Sequence, residues 1–147
     1  MFYKRVFLHH LLNKNFMINQ NERLYYRGTI FEVTYEWEGR IETHQSILVQ
    51  TFDEGFVFVV VQINEYHAGC IDGYIHSQFE YVKAVTQSFL QKELVKQCYS
   101  NILKFQIITE DHHSETIKEY LKMQKEIGFW EDPLQPYNPN ETTSPVD

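Results

Sequence analysis

The residues best equipped for chemistry lie close together: His67, Cys70, Asp72 and His76 all fall in NEYHAGCIDGYIH, directly after the apolar run FVFVVVQI. A thiol, two imidazoles and a carboxylate at that spacing raise two possibilities, a cysteine nucleophile and a metal site. A cysteine nucleophile needs a base within hydrogen-bond reach and an electropositive setting that lowers its pKa. Cys70 has His67 and His76 near it in sequence and Asp72 two residues on. It is flanked by Gly69 and Ile71, however, no glycine-rich oxyanion turn follows, and the local charge is negative. Zinc commonly takes two closely spaced ligand pairs; His67-x2-Cys70 is one, and a second would have to arrive from His44 or His112. Asp53, Glu54, Glu65 and Asp72 could pair for acid–base work, but acids at hairpin turns are commonplace. No phosphate-cradling loop, GxGxxG or HExxH is present. The sequence therefore predicts no catalytic residue, no metal and no cofactor. The rival expectation is a small enzyme or ligand binder built on Cys70, His67, Asp72 and His76.

The elements that would position these residues are strands. From Leu24 the pattern has period two, with Tyr25, Phe31, Val33, Tyr35 and Trp37 on one face and Glu32, Thr34 and Glu36 on the other. Around Gly39 the chain turns into IETHQSILVQT. A two-residue loop would set the apolar face against Glu42, His44 and Ser46. A three-residue loop opposes Trp37 with Ile41, Phe31 with Ile47 and Thr29 with Val49, and hydrophobic matching favours it. The turn FDEG leads into FVFVVVQIN, apolar on both faces and so expected as a central strand covered on both sides. CIDGYIH returns as a fourth strand, which makes the polar group between them a connection.

Ser77 and Glu80 have capping-box spacing and predict a helix running to about Leu103, with Cys98 on its packed face. KFQIITE reads as a fifth strand. A second helix follows, packed through Ile117, Tyr120, Leu121, Gln124 and Ile127 and stopped at Gly128. The order ββββ-α-β-α predicts an α+β fold, a mainly antiparallel meander sheet with a long helix packed on one face. Residues 1–16 read as a leader ahead of a natural start at Met17 or as a terminal helix packed on the domain, 17–130 as a single α+β domain, and 131–147, with four prolines, as an extended or disordered tail.

At 147 residues the chain can bury about two thirds of its unfolded surface without cross-links, and its two cysteines fit neither a disulfide framework nor a zinc pattern. That favours a reducing cytoplasm. The apolar centre of residues 1–16 is short and broken by His9 and His10, and no small-x-small cleavage site follows, which speaks against export. No run approaches the length of a membrane span. Net charge is −7, and beyond residue 16 only ten of the thirteen Lys and Arg stand against all twenty acids. Such a surface disfavours direct nucleic-acid or membrane binding and favours a basic partner protein.

The 23 aromatics supply the positive signal for binding, because Tyr and Trp bury a large rigid area while keeping a polar tip. Tyr35, Phe58 and Phe89 are expected in the core. Trp37, Tyr66 and Trp130 stand beside acids at element ends and are expected to anchor a partner, with Asp53, Glu54, Glu65 and Glu131 attracting its positive charge. The expectation for function is a non-catalytic inhibitor of a cationic protein, most plausibly a bacterial toxin-immunity protein neutralising a toxin domain. A structural or adaptor subunit is a further alternative. Oligomeric state has no signature in the sequence.

Overall fold

The computed structural model describes residues 19–53, 55–97, 99, 101–109, 115–128 and 131–140, with the side chain of residue 65 left aside. Eight strands and two α-helices occur among them: β1 (Arg23–Tyr25), β2 (Ile30–Trp37), β3 (Arg40–Gln50), β4 (Phe56–Gln62), β5 (Ile71–His76), β6 (Val85–Thr86), α1 (Gln87–Gln97), β7 (Ile102–Ile107), β8 (Glu115–Thr116) and α2 (Ile117–Glu126). Two sheets result, a five-stranded one in the order β5-β4-β3-β2-β7 and a three-stranded one in the order β6-β1-β8. Among the described residues the strands of both sheets pair antiparallel. The α+β class and the meander of β2 to β5 agree with expectation; the small second sheet was not foreseen.

Hairpin register is the first correction. Trp37 pairs with Arg40, leaving a loop of two residues, Glu38 and Gly39, whose φ angles are 50° and 75°. Positive φ at both central positions makes a primed turn, whose twist matches that of the flanking strands. Phe31 consequently faces Ser46, Val33 faces His44 and Tyr35 faces Glu42. The three-residue loop expected from hydrophobic matching is not formed, and the polar side of β3 points into the molecule.

The long helix is the second correction. Ser77 to Ala84 is not helical, and α1 is eleven residues, Gln87–Gln97. The pairing expected of Ser77 and Glu80 is not formed because a better partner takes its place. The Glu80 amide donates to the Gln135 carbonyl, the Glu80 carboxylate accepts from the Asn138 amide, and Phe79 bridges to Pro136. Phe79, Val82 and Ala84 thereby enter a second core with Leu24, Ile117 and Leu134. The proline-bearing stretch 131–140, with turns at 133–134 and 139–140, lies along this core and buries Leu134 in it. At the far end the helix yields to strand, since Ile102 to Ile107 add to the free edge of β2. Cys98 lies outside the described residues.

The main core sits between the inner face of the large sheet and α1, where Phe31, Val33, Tyr35, Leu48, Phe58, Val60 and Ile75 meet Leu90 and Leu94. Tyr35 and Phe58 are buried as expected, and Phe89 packs against the same core half-buried. Gln97 finishes the edge of β5: its carbonyl accepts from the Tyr74 amide at 2.9 Å and its amide donates to the Tyr74 carbonyl. A side chain thus occupies edge groups that would otherwise invite another strand. Helix α2 carries a reciprocal capping box between Thr116 and Glu119 and ends near Gly128. Its packed side is Ile117, with Tyr120, Leu121 and Gln124 half-buried, whereas Ile127 is exposed.

Glu38 is a poor residue for its conformation, since a left-handed φ costs an L side chain other than Asn or Asp of order 1 kcal/mol. Glu38→Asn is expected to stabilise the fold by about 0.5 kcal/mol, and Gly39→Val to destabilise it by about 1–2 kcal/mol. Urea denaturation of the three proteins gives the comparison, and a loop of three residues would reverse or abolish the ordering.

Candidate functional site

Polar side chains turned inward by the hairpin register are met by partners from three other elements. The Tyr35 hydroxyl donates to Glu42 Oε2 at 2.9 Å, and the His44 ring stands beside both, its Nε2 3.5 Å from the same carboxylate oxygen. Ser46, fully buried, donates to Asp72 Oδ2 at 3.4 Å. Asp72 also accepts from Gln62 Nε2 at 2.5 Å and from the Tyr99 hydroxyl at 2.6 Å. A bulge explains its position: Val60 pairs with Gly73 and Val61 with Ile71, so Asp72 is the extra residue and its carboxylate turns inward. The network is the means by which five polar residues of β3 to β5, Glu42, His44, Ser46, Gln62 and Asp72, are accommodated on the inner face, with Gln62 Oε1 left as a buried acceptor that has no hydrogen-bond partner among the described residues. Burial foremost, and then the neighbouring carboxylate of Glu42, push the Tyr35 hydroxyl up to about 12.

The structure disperses the chemically equipped quartet. Asp72 belongs to this network. His76 lies at the other end of β5, where its Nδ1 is 3.1 Å from the buried Glu93. His67 closes a 3-10 turn, with its ring 6.0 Å from that of His44. Cys70 is exposed, on the coil before β5. Among the described residues no three His, Cys, Asp or Glu side chains are grouped to hold a metal ion.

The opposite face of the large sheet carries Glu32, Thr34, Thr43 and Gln45 towards the hairpin tip and an apolar area beyond them, on which no helix packs among the described residues. Where Phe31, Leu48, Val60 and Ile75 point inward, their strand neighbours point out. Ile30 pairs with Ile47, Ile47 with Val61 and Val61 with Ile71, and Ile108 extends the row through its hydrogen bond to Ile30. A second row runs Val49, Val59, Tyr74. At about 4.8 Å per strand the first row crosses roughly 19 Å. Val49, Ile71, Tyr74 and Ile108 are exposed, and no described helix packs on this face. Among the described residues no element covers the outer side of β4, where Val59 and Val61 are half-buried, so the cover expected on both sides is seen on the inner one. Beside Ile47 and Val49 lies a shallow cavity of about 640 Å³, bounded by Arg27, Gly28 and Phe52. Contiguous exposed apolar area of this extent marks an interaction surface in most proteins.

Several of the residues expected to bind a partner frame this face. Asp53 is exposed in the turn before β4, next to a Phe52 that is 99% exposed. At the other end of β4, Glu65 and Tyr66 lie in the 3-10 turn, with Tyr66 95% exposed. Seven residues of β4, about 23 Å, separate the two loops. Trp37 stands apart at the hairpin tip, half-exposed, with the Arg40 guanidinium 5.9 Å from its ring centre. Glu131 is exposed on the stretch 131–140, and Glu54 and Trp130 lie outside the described residues. The sequence reading missed the apolar face itself. Its signal was alternation in RIETHQSILVQ, concealed by the wrong loop length.

No protein-family model matches the chain, and no curated protein or solved structure matches it significantly. No helix among the described residues is long and apolar enough to cross a membrane.

A phenol held near 12 when folded and near 10 when unfolded stabilises the fold fully below pH 10, and that contribution, about 2–3 kcal/mol, is lost as pH rises towards 12. Tyr35→Phe should flatten part of the alkaline fall in stability between about pH 10 and 12; burial also raises Tyr25, Tyr26 and Tyr120, which keep the remainder. Urea midpoints measured across that range check this, and an unchanged alkaline limb contradicts it.

Proposed function

We propose that the chain is a non-catalytic protein-binding module that neutralises a cationic partner through the outer face of its large sheet, most plausibly as a bacterial immunity protein acting on a toxin domain in the cytoplasm. The observation that carries the reading is the double apolar row, Ile30–Ile47–Val61–Ile71 with Val49–Val59–Tyr74, left bare between two loops that bear Asp53 and Tyr66. An apolar centre with a polar rim is the usual anatomy of a specific interface. Charge supports a basic occupant: Glu32 and Glu36 stand on the same side of β2, and the whole chain carries −7. Such a field speeds encounter with a positive protein and slows encounter with a second copy. The cavity beside Val49 and Phe52 is of a size to seat an anchoring side chain from the partner.

The test is association with a basic protein encoded beside this one, co-expressed and measured with the purified pair. A complex is expected whose affinity falls with salt. Val49→Glu and Ile71→Glu, both at exposed positions, should leave the folded far-ultraviolet signal intact and weaken binding about 30-fold or more. Asp53→Lys should act mainly on the association rate. Absence of any neighbouring partner, or a complex indifferent to salt and to both outer-face substitutions, would end this reading.

A further inference from the structure

A cleft of about 540 Å³ opens between α2, the turn after β1 and the loop around Val82; it includes none of the residues of the apolar rows and shares Arg27 and Gln50 with the shallow cavity beside Val49. Cavities that hold one small molecule run from roughly 300 to 1,000 Å³. Three tyrosines line it, Tyr26, Tyr81 and Tyr120, with the exposed cations Arg27 and Lys83 beside them. Neither cation enters an ion pair among the described residues. In a chain with net charge −7, two cations on one aromatic cleft, neither in an ion pair with a described residue, are a local reversal of sign. Glu115 lines the same cleft and adds an acceptor. Burial foremost, and then the Glu115 carboxylate, raise the hydroxyls of Tyr26 and Tyr120, so both rings stay neutral at physiological pH.

We propose that this cleft binds a mononucleotide whose base carries an amino group, with its phosphate between Arg27 and Lys83, its base against the tyrosine rings and its amino group on Glu115. Each part of the ligand answers a different feature. Guanidinium and ammonium groups take a phosphate through charge-assisted hydrogen bonds, Arg bidentately. Aromatic side chains stack on any base, and this alone would not choose among them. A carboxylate in the cleft selects a donor, which adenine, guanine and cytosine offer as an exocyclic amine and hypoxanthine lacks. A single phosphate can be held by two local cations, whereas a polyanion would meet the acidic remainder of the surface.

Calorimetric titration of the full chain with adenosine monophosphate tests this, with inosine monophosphate, adenosine and inorganic phosphate as separate arms. One saturable site is expected for adenosine monophosphate, with Kd on the order of 0.1 mM. Adenosine and phosphate alone should each bind about tenfold more weakly or worse. Arg27→Gln and Tyr81→Ala, both at exposed positions, should each weaken adenosine monophosphate about tenfold without altering the melting temperature. Glu115→Gln should erase the preference over inosine monophosphate. No saturable binding of any mononucleotide up to about 10 mM would overturn the proposal. So would wild-type affinity in both Arg27→Gln and Tyr81→Ala.

Discussion

Side chains on a strand alternate between faces, so shifting a hairpin register by one residue transfers a whole strand's side chains from one side of the sheet to the other. In this protein the register of β2 and β3 is set by Glu38 and Gly39, both at positive φ in a two-residue turn. Everything notable about the large sheet follows from that turn. It sends Glu42, His44 and Ser46 inward, where a hydrophobic core would refuse them, and sends Ile47 and Val49 outward, where water does. The inner consequence is repaired within the chain, because Tyr35, Gln62, Asp72 and Tyr99 converge on the polar side chains. The outer consequence has no such repair from a described helix. A fold that accepts buried polar groups to keep an apolar face outside is consistent with that face being in use.

The meander and the second helix were legible because their signals are local. Period-two alternation from Phe31 to Tyr35, the apolar run of β4 and the 3.6-residue stripe beginning at Ile117 each depend on a few neighbouring residues. Loop length was illegible for a physical reason. Hydrophobic matching across a hairpin assumes that the two facing strands share one apolar core, and here the β3 side of the inner face is held by hydrogen bonds. Only knowledge that Asp72, a bulge residue of β5, and Tyr99, beyond α1, arrive at the same place would have made the polar pairing acceptable.

The misread start of α1 has the same origin in long-range contact. Ser77, Phe79, Glu80 and Val82 have the types and spacing of a helix N-terminus, and in isolation that preference would be worth about 1 kcal/mol. Against it stand the burial of Phe79 and Val82, the Glu80–Gln135 and Tyr137–Gln78 backbone bonds, and the capture of Glu80 by Asn138. Burial of one phenylalanine alone outweighs a cap by a factor of about two or three. The decisive partner is some fifty residues away in a stretch whose prolines hide it from any periodicity argument.

An uncovered apolar face invites self-association, and the charge distribution bears on which association wins. Two copies meeting face to face would each bring a net charge of −7 and, on β2, Glu32 and Glu36 toward one another. A cationic partner meets the same apolar rows with the sign of that interaction reversed. Dispersion and desolvation on the apolar rows are comparable for either occupant, so the electrostatic difference between repulsion and attraction decides between them. At the free edge of β5 the Gln97 amide already occupies both backbone groups of Tyr74, which closes the competing route of strand addition there. Like charge thus works against pairing of two copies at this face, and Gln97 occupies the backbone of Tyr74 at the β5 edge, so the proposed cationic partner is the occupant whose charge adds to apolar contact instead of opposing it.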